Sequence, residues 1–399
     1  MALLAFDGFD HYGTDADLLA RTGMLQWVAS NQPSGNSVLY AAGRSGTGKC
    51  GQFVAGEHGS WLTATINSDT DEAFYGIAVR VISDGVPYFD LQIWDDLANN
   101  APFTFRFFTS SGAVIAYSGD PSTTHIYSYA NGHIIDEGPG TFPIATSSSN
   151  VFNPFVWNFL EMHVTQDVQT SVAGSLTDHG TFELKVNGVN VLSGTGAATF
   201  YPTGDFSGAG NYVNTSKYSG WRIKCGEVEG EFPGMEFDDF YCLDNTTGSG
   251  ANPLNTYLGD CAVNTTFPTA NISVQWAALA NQNWQEVATV PFAGDNAYNN
   301  TLHDGYTDKF TFGAVPADSS TVIGVQVTGA FRSLNVSGSQ IDVTIQSGSS
   351  TSGEAFTVLG GTRSAYAYYP TLYVLDPNTG ADWTISAVNA LTASYTLAA

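Results

Sequence analysis

Apolar and polar residues alternate with period two along much of this chain, and that pattern selects strands over helices before anything else is considered. In GIAVRVI, Ile77, Val79 and Val81 share one face and Arg80 takes the other. FELKVNGVNV places Phe182, Leu184 and Val186 inward and Glu183 and Lys185 outward. It then turns at Asn187-Gly188, a hairpin signal because both turn positions require positive φ. Val189 and Val191 carry the return strand, Ile341, Val343 and Ile345 repeat the pattern, and Val325 and Val327 do so once more. Helical periodicity is confined to DADLL at Asp15–Leu19, with Thr14 in the N-cap position, and to a short turn near Ile385 to Leu391. Many strands joined by glycine-rich turns predict an all-β chain of antiparallel sandwiches.

A break in composition suggests two units. From Asn245 to Asn271 the chain is rich in Asn, Thr, Gly and Pro. This segment reads as the exit from a larger domain, residues 1–265, into a smaller β-sandwich, residues 266–399, with a marked turn at Asp376-Pro377-Asn378-Thr379-Gly380.

Charge narrows the partners. The chain has 37 acidic and 12 basic residues, a formal net charge of −25. Phosphate backbones and anionic lipid surfaces repel such a chain, so neither nucleic acid nor a membrane is expected as a partner. A bound cation such as calcium is permitted but not required, and no cofactor is expected. Charged residues are only 12% of the chain, about half the usual share. A surface built from Ser, Thr, Asn and Gly suits packed assembly contacts. The four cysteines, Cys50, Cys225, Cys242 and Cys261, form no C-x-x-C pair and are expected to be mostly free thiols. MALLAFDGFDHYG lacks the basic region of a signal peptide, and no apolar run of about 18 residues occurs. Synthesis in a cytoplasm is the expectation.

Four features bear on chemistry. GRSGTGKC, Gly43 to Cys50, nearly spells the phosphate-binding loop G-x-x-x-x-G-K-[ST]. Cys50 lacks the hydroxyl that would ligate magnesium, and the glycines at 51, 56 and 59 deny the loop its following helix. A turn between two strands is expected instead. In GEVEGEFPGMEFDDFYCLD, a strand would point Glu236 and Asp238 the same way, as glycoside hydrolysis requires of paired carboxylates. An E-x-D-x-x-E set would be incomplete, because position 241 is Tyr, and the surrounding apolar residues suggest a bend or bulge. In LQIWDDLA, Trp94 beside Asp95 and Asp96 is the candidate saccharide platform; the alternative is a strand, core at Ile93 and rim at Trp94, entering a turn. The seven histidines show no metal-ligand spacing. No catalytic and no metal-binding residues are therefore assigned.

Three segments carry a family resemblance. WNFLEMHVT, Trp157 to Thr165, resembles the tryptophan-led strand of the concanavalin A-like, laminin-G-like jelly rolls. FELKVNGVNVLSG, Phe182 to Gly194, resembles the hairpin that follows it, and MEFDDFYCLD, Met235 to Asp244, its closing strand. The order from that strand through VQWAALANQNWQEV to DPNTGADWTISAVNAL is similar to tail-associated or other virion structural proteins of tailed bacteriophages. The resemblance implies an N-terminal concanavalin A-like jelly roll followed by a smaller C-terminal β-sandwich. It also implies a non-enzymatic, oligomeric virion component, assembled in the host cytoplasm beside other virion proteins in a tail fibre, spike or baseplate position that contacts the host surface. The alternatives are a carbohydrate-binding module for bacterial surface glycans, a capsid decoration protein, and a glycan depolymerase using Glu236 and Asp238.

Overall fold

The computed structural model of the chain describes residues 3–12, 15–29, 38–44, 48–55, 61–70, 72–95, 100–118, 126–130, 133–138, 143–165, 180–195, 218–226, 232–244, 256–289, 294–316, 321–335, 338–359 and 366–398. The strands are β1 (Leu3–Asp7), β2 (Leu25–Ala29), β3 (Val38–Ala42), β4 (Lys49–Ala55), β5 (Trp61–Thr70), β6 (Glu72–Val81), β7 (Tyr88–Asp95), β8 (Asn100–Phe108) and β9 (Ala113–Ser118). They continue with β10 (Ile126–Ala130), β11 (His133–Gly138), β12 (Pro143–Thr146), β13 (Asn158–Thr165), β14 (Thr181–Val186), β15 (Val189–Thr195), β16 (Tyr218–Cys225) and β17 (Phe232–Asp244). One short helix, α1 (Asp15–Leu19), precedes β2, where DADLL predicts it.

These strands build a β-sandwich of two antiparallel sheets. The first runs β15-β14-β13-β6-β17-β4-β3 and the second β12-β9-β8-β7-β16-β5-β2. Alternation explains the core between them. Ile77, Val79, Val81, Leu160, Met162, Phe182 and Phe237 of the first sheet meet Phe89, Leu91, Ile93, Phe103, Phe105, Phe107, Trp221 and Ile223 of the second. The β14–β15 hairpin turns at Asn187 and Gly188 with φ of 51° and 78°, both left-handed, as the Asn-Gly signal requires.

The first sheet departs from simple alternation, because its outward face is also buried. Phe74, Ala78, Phe159, Tyr241 and Leu243 form a second cluster there, covered by Tyr257, Leu258, Ile323, Leu372 and Val374 from later in the chain. Residues 256–267 cross this face as a strap. Gly76 is glycine for the same reason: a Cβ there would stand 1.9 Å from the Tyr241 ring.

β17 changes neighbours midway. Phe232 to Phe237 pair with β4, whereas Phe240 to Leu243 pair with β1. The register against β6 slips between Asp238 and Tyr241, and Asp239 takes φ of 54°. The bulge expected in this strand thus lies where one edge partner gives way to another.

Beyond the strap the chain forms β18 (Pro268–Ser273), β19 (Ala277–Ala278), α2 (Asn283–Val287), β20 (Asn299–Asn300), β21 (Thr307–Phe312), β22 (Val325–Phe331), β23 (Ser339–Ser347), β24 (Ser350–Val358), β25 (Ala367–Tyr373), α3 (Ile385–Asn389) and β26 (Thr392–Leu397). A five-stranded sheet, β18-β21-β26-β23-β24, faces the two-stranded β22–β25. Ile341, Val343 and Ile345 of β23 turn into this smaller sandwich. α3 begins at Thr384, whose hydroxyl accepts from the Ala387 amide at 3.1 Å.

Candidate functional site

The loop GRSGTGKC joins β3 to β4, closed by a bond from the Gly43 amide to the Gly48 carbonyl at 3.2 Å. Lys49 and Cys50 open a strand, not a helix, so the phosphate cradle is absent. The loop's amides nevertheless donate to carboxyl groups. The Arg44 amide donates to Asp238 Oδ2 at 2.9 Å, and the Lys49 amide to Asp10 Oδ1 at 2.6 Å. Carboxyl groups of the same chain thus take the amides that phosphates occupy in a nucleotide-binding loop.

The acidic run of β17 is used in the same structural way. Glu236 accepts from Gln52 Nε2 at 3.1 Å and Arg80 Nε at 2.9 Å, and pairs with Arg80 Nη2 as well. Asp239 Oδ1 accepts from the strap amide of Val263 at 2.7 Å, and its Oδ2 pairs with Arg44 at 3.3 Å. Arg44 continues to Asp260 and to the Cys261 carbonyl, tying the strap down. A further carboxylate, buried Glu161, accepts from Tyr241 Oη at 2.7 Å and from the Gly259 amide at 2.8 Å. Burial, followed by mutual repulsion, pushes Asp238 up to about 8; burial raises Asp239 to about 6 against the opposing Val263 amide and Arg44. These carboxylates hold the strap and the β3–β4 hairpin on the outward face of the first sheet. Completing the nucleotide motif with Cys50→Ser is therefore expected to yield no magnesium-dependent ATP binding by equilibrium dialysis.

The outward face of the second sheet is different. Backbone register aligns Tyr117, Thr104, Gln92, Arg222 and Thr63 in one row across β9, β8, β7, β16 and β5. The adjoining row is Ile115, Arg106, Asp90, Lys224 and Trp61. Their sequence neighbours Leu91, Ile93, Phe103, Phe105, Trp221 and Ile223 point into the core, so alternation sends this polar set away from it.

Two stacks frame the band. The Arg106 guanidinium lies 3.8 Å from the Tyr88 ring centroid and forms a two-point pair with Asp90 at 2.7 and 2.8 Å. Arg222 lies 4.0 Å from the Trp61 centroid and donates to Thr63 Oγ1 at 2.7 Å. Between them, Gln92 and Thr104 are both 0% exposed. Neither amide atom of Gln92 has a hydrogen-bond partner, and neither does Thr104 Oγ1. At the β5 end Trp61, Arg222 and Lys224 are half-buried and Val28 is exposed, so the band opens there.

The sequence-derived platform falls beside this band. Trp94 and Asp95 close β7, with Trp94 opposite Gly220. Their side chains, and Asp96 entirely, lie outside the described residues. The sequence alone does not mark Gln92, Thr104, Trp61 or Arg222. The signal was present in YFDLQIW, where Asp90 and Gln92 alternate with Leu91 and Ile93, but alternation does not show that an outward polar residue is buried. Among the described residues no group of three His, Cys, Asp or Glu side chains is placed to hold a metal, and the four cysteines are free thiols.

No family model matches this chain, and no curated protein matches it. Among solved structures, an alginate lyase, vAL-1, from a Chlorella virus is similar over 61% of this chain and 100% of its own, at 12% identity and a TM-score of 0.39. The carbohydrate-binding module CBM66 from Bacillus subtilis covers 55% of this chain and 95% of its own, at 11% identity and a TM-score of 0.29. The Caenorhabditis elegans galectin LEC-6 covers 48% and 95%, at 11% identity and a TM-score of 0.25. At these scores the likenesses carry no activity to this chain.

Proposed function

We propose that this chain is a non-enzymatic glycan-binding protein, with its ligand site on the polar band of the second sheet. The observation that carries the reading is Gln92, wholly buried with both amide atoms unpaired, next to an unpaired Thr104 hydroxyl. Buried polar groups are nearly always hydrogen-bonded, so such a pair calls for an external partner. An amide offers a donor and an acceptor together, and a sugar hydroxyl answers both. Trp61, Tyr88 and Tyr117 supply aromatic surface beside it, the usual company of a few convergent polar groups in a ligand site. The virion resemblance suggests a setting: an assembled particle whose surface glycan ligands belong to a bacterial host. Glu236 and Asp238 lie on the opposite side of the sandwich, tied to Arg80 and Arg44, which favours binding over depolymerisation.

The test is Gln92→Leu on an array of bacterial surface polysaccharides, with the wild-type chain alongside. Replacing an unpaired buried amide by an apolar group of similar size is expected to leave stability unchanged or raise it. Glycan binding is expected to fall at least tenfold. Undiminished binding by a folded Gln92→Leu chain would remove the site assignment, and no binding by wild type would remove the function.

A further inference from the structure

A cavity of about 1820 Å³ is lined by both sandwiches, with Leu3, Phe6 and His11 on the N-terminal side and Trp276, Glu286, Asn299, Phe310, Phe331 and Tyr395 on the C-terminal side. Its polar wall has two acceptors without donors. Glu286 is 2% exposed, and its Oε1 accepts from the Ala280 and Asn281 amides at 2.9 and 2.5 Å. Its Oε2 is buried with no partner. The Asn299 amide nitrogen donates to the Asn283 carbonyl at 3.0 Å and to Tyr395 Oη at 2.7 Å, which leaves Oδ1 as its buried, unpaired atom.

Neighbouring polar groups are already engaged. Asp308 accepts from the Gln275 and Trp276 amides at 2.8 and 2.9 Å, from Asn283 Nδ2 at 2.6 Å and from Tyr395 Oη at 3.2 Å. Asn283 also donates to the Trp276 carbonyl at 2.9 Å, joining α2 to the aromatic wall. Among the described residues no Lys, Arg or His pairs with Glu286. The aromatic rings pack around Tyr395, with centroid distances of 4.7 Å to Trp276, 5.6 Å to Phe310 and 5.7 Å to Phe331.

We propose that this cavity binds a small organic ammonium ion, its N–H donors directed at Glu286 Oε2 and Asn299 Oδ1 and its apolar body against the aromatic wall. Both unpaired atoms are acceptors, so the ligand must donate. A carboxylate favours a donor that carries positive charge, and aromatic faces attract the same cation. The net charge of −25 acts in the same direction at long range. Both acceptors belong to the C-terminal sandwich, away from the polar band, so the site does not depend on the glycan reading.

The experiment is calorimetric titration of the full chain with benzylammonium and, in parallel, with benzyl alcohol, which has the ring and no charge. Benzylammonium is expected to bind at least tenfold more tightly than the alcohol. Glu286→Gln keeps an acceptor for the Ala280 and Asn281 amides and is expected to fold, while losing that preference. Equal affinities for the two probes, binding of neither, or a preference that survives in Glu286→Gln would each overturn the proposal. Binding of neither would leave ordered water as the partner of the two acceptors.

Discussion

Arg21→Met is expected to destabilise the chain at pH 7 by about 3–5 kcal/mol, the scale set by removing one partner of a buried ion pair. Arg21 and Asp7 are 3% and 1% exposed, and their charged atoms lie 3.0 Å apart. Asp7 also accepts from Tyr12 Oη at 2.8 Å, Trp27 Nε1 at 3.0 Å and the Phe9 amide at 3.1 Å. Burial by itself would raise Asp7, but Arg21, His11, Trp27 and the Phe9 amide together hold it below the ordinary value. Burial holds neighbouring His11 down to about 4, so that ring is neutral at pH 7 and would not replace the lost guanidinium. Without Arg21 the Asp7 carboxylate is stranded. The contribution of a lowered Asp is present above its unfolded value near 3.8 and is lost as pH falls through the folded value.

Arg21 also reaches outside its own sandwich. Its Nη2 donates to Gln326 Oε1 of β22 at 3.0 Å, while the Thr22 amide and hydroxyl donate to the Tyr368 carbonyl at 2.9 and 2.7 Å. Tyr368 itself is part of the core of the N-terminal sandwich. Loss of Arg21 thus weakens both the core of one sandwich and its seam with the other. Denaturant unfolding of Arg21→Met, Asp7→Asn and the double variant separates the causes. If the stranded charge dominates, the double variant is more stable than Arg21→Met alone. A double variant that loses the sum of the two single losses would show instead that the pair acts through packing and the bond to Gln326.

The parts of this structure legible in the sequence are those set by neighbours a few residues apart. Alternation gave the facing of Phe182, Leu184 and Val186, and Asn187-Gly188 gave the turn, because both depend on local φ/ψ and side-chain period alone. DADLL and the turn from Ile385 were readable for the same reason. The buried outward face of β6 was not, since Tyr257, Ile323 and Leu372 cover Phe74 and Ala78 from far along the chain. The acidic run showed its chemistry but not its partners: Arg80, Arg44 and the Val263 amide engage carboxylates that spacing alone left open to catalysis. The same long-range blindness hid Gln92. A polar residue at an alternating position is normally hydrated, and its burial depends on what the folded chain lays over it.

Asp238 provides the second large effect, and its sign is opposite to that of Asp7. Asp238 is 5% exposed and Asp239 is 4% exposed. Asp239, Asp10 and Cys50 interact with Asp238, and the Arg44 amide of the hairpin donates to it. With Asp238 raised to about 8, the folded chain holds a proton that the unfolded chain has released above about 4. Stability from this group is therefore complete below the unfolded value and is lost as pH rises through 8. Between pH 5 and pH 9 the wild-type chain is expected to lose on the order of 3–4 kcal/mol, about 1.4 kcal/mol for each pH unit between 5 and the folded value of about 8. Asp238→Asn keeps one acceptor oxygen and cannot ionise, so it stands in for the protonated acid. Its unfolding free energy is expected to match or fall slightly below wild type at pH 5, where one amide loses its acceptor at a cost of about 1 kcal/mol. At pH 9 the order reverses, because only wild type then carries two adjacent buried carboxylates. Urea titrations of both chains at half-unit pH steps would reveal the crossover. Parallel curves would mean that Asp238 is ionised throughout and that Arg44, with the amides around the bulge, fully compensates the pair.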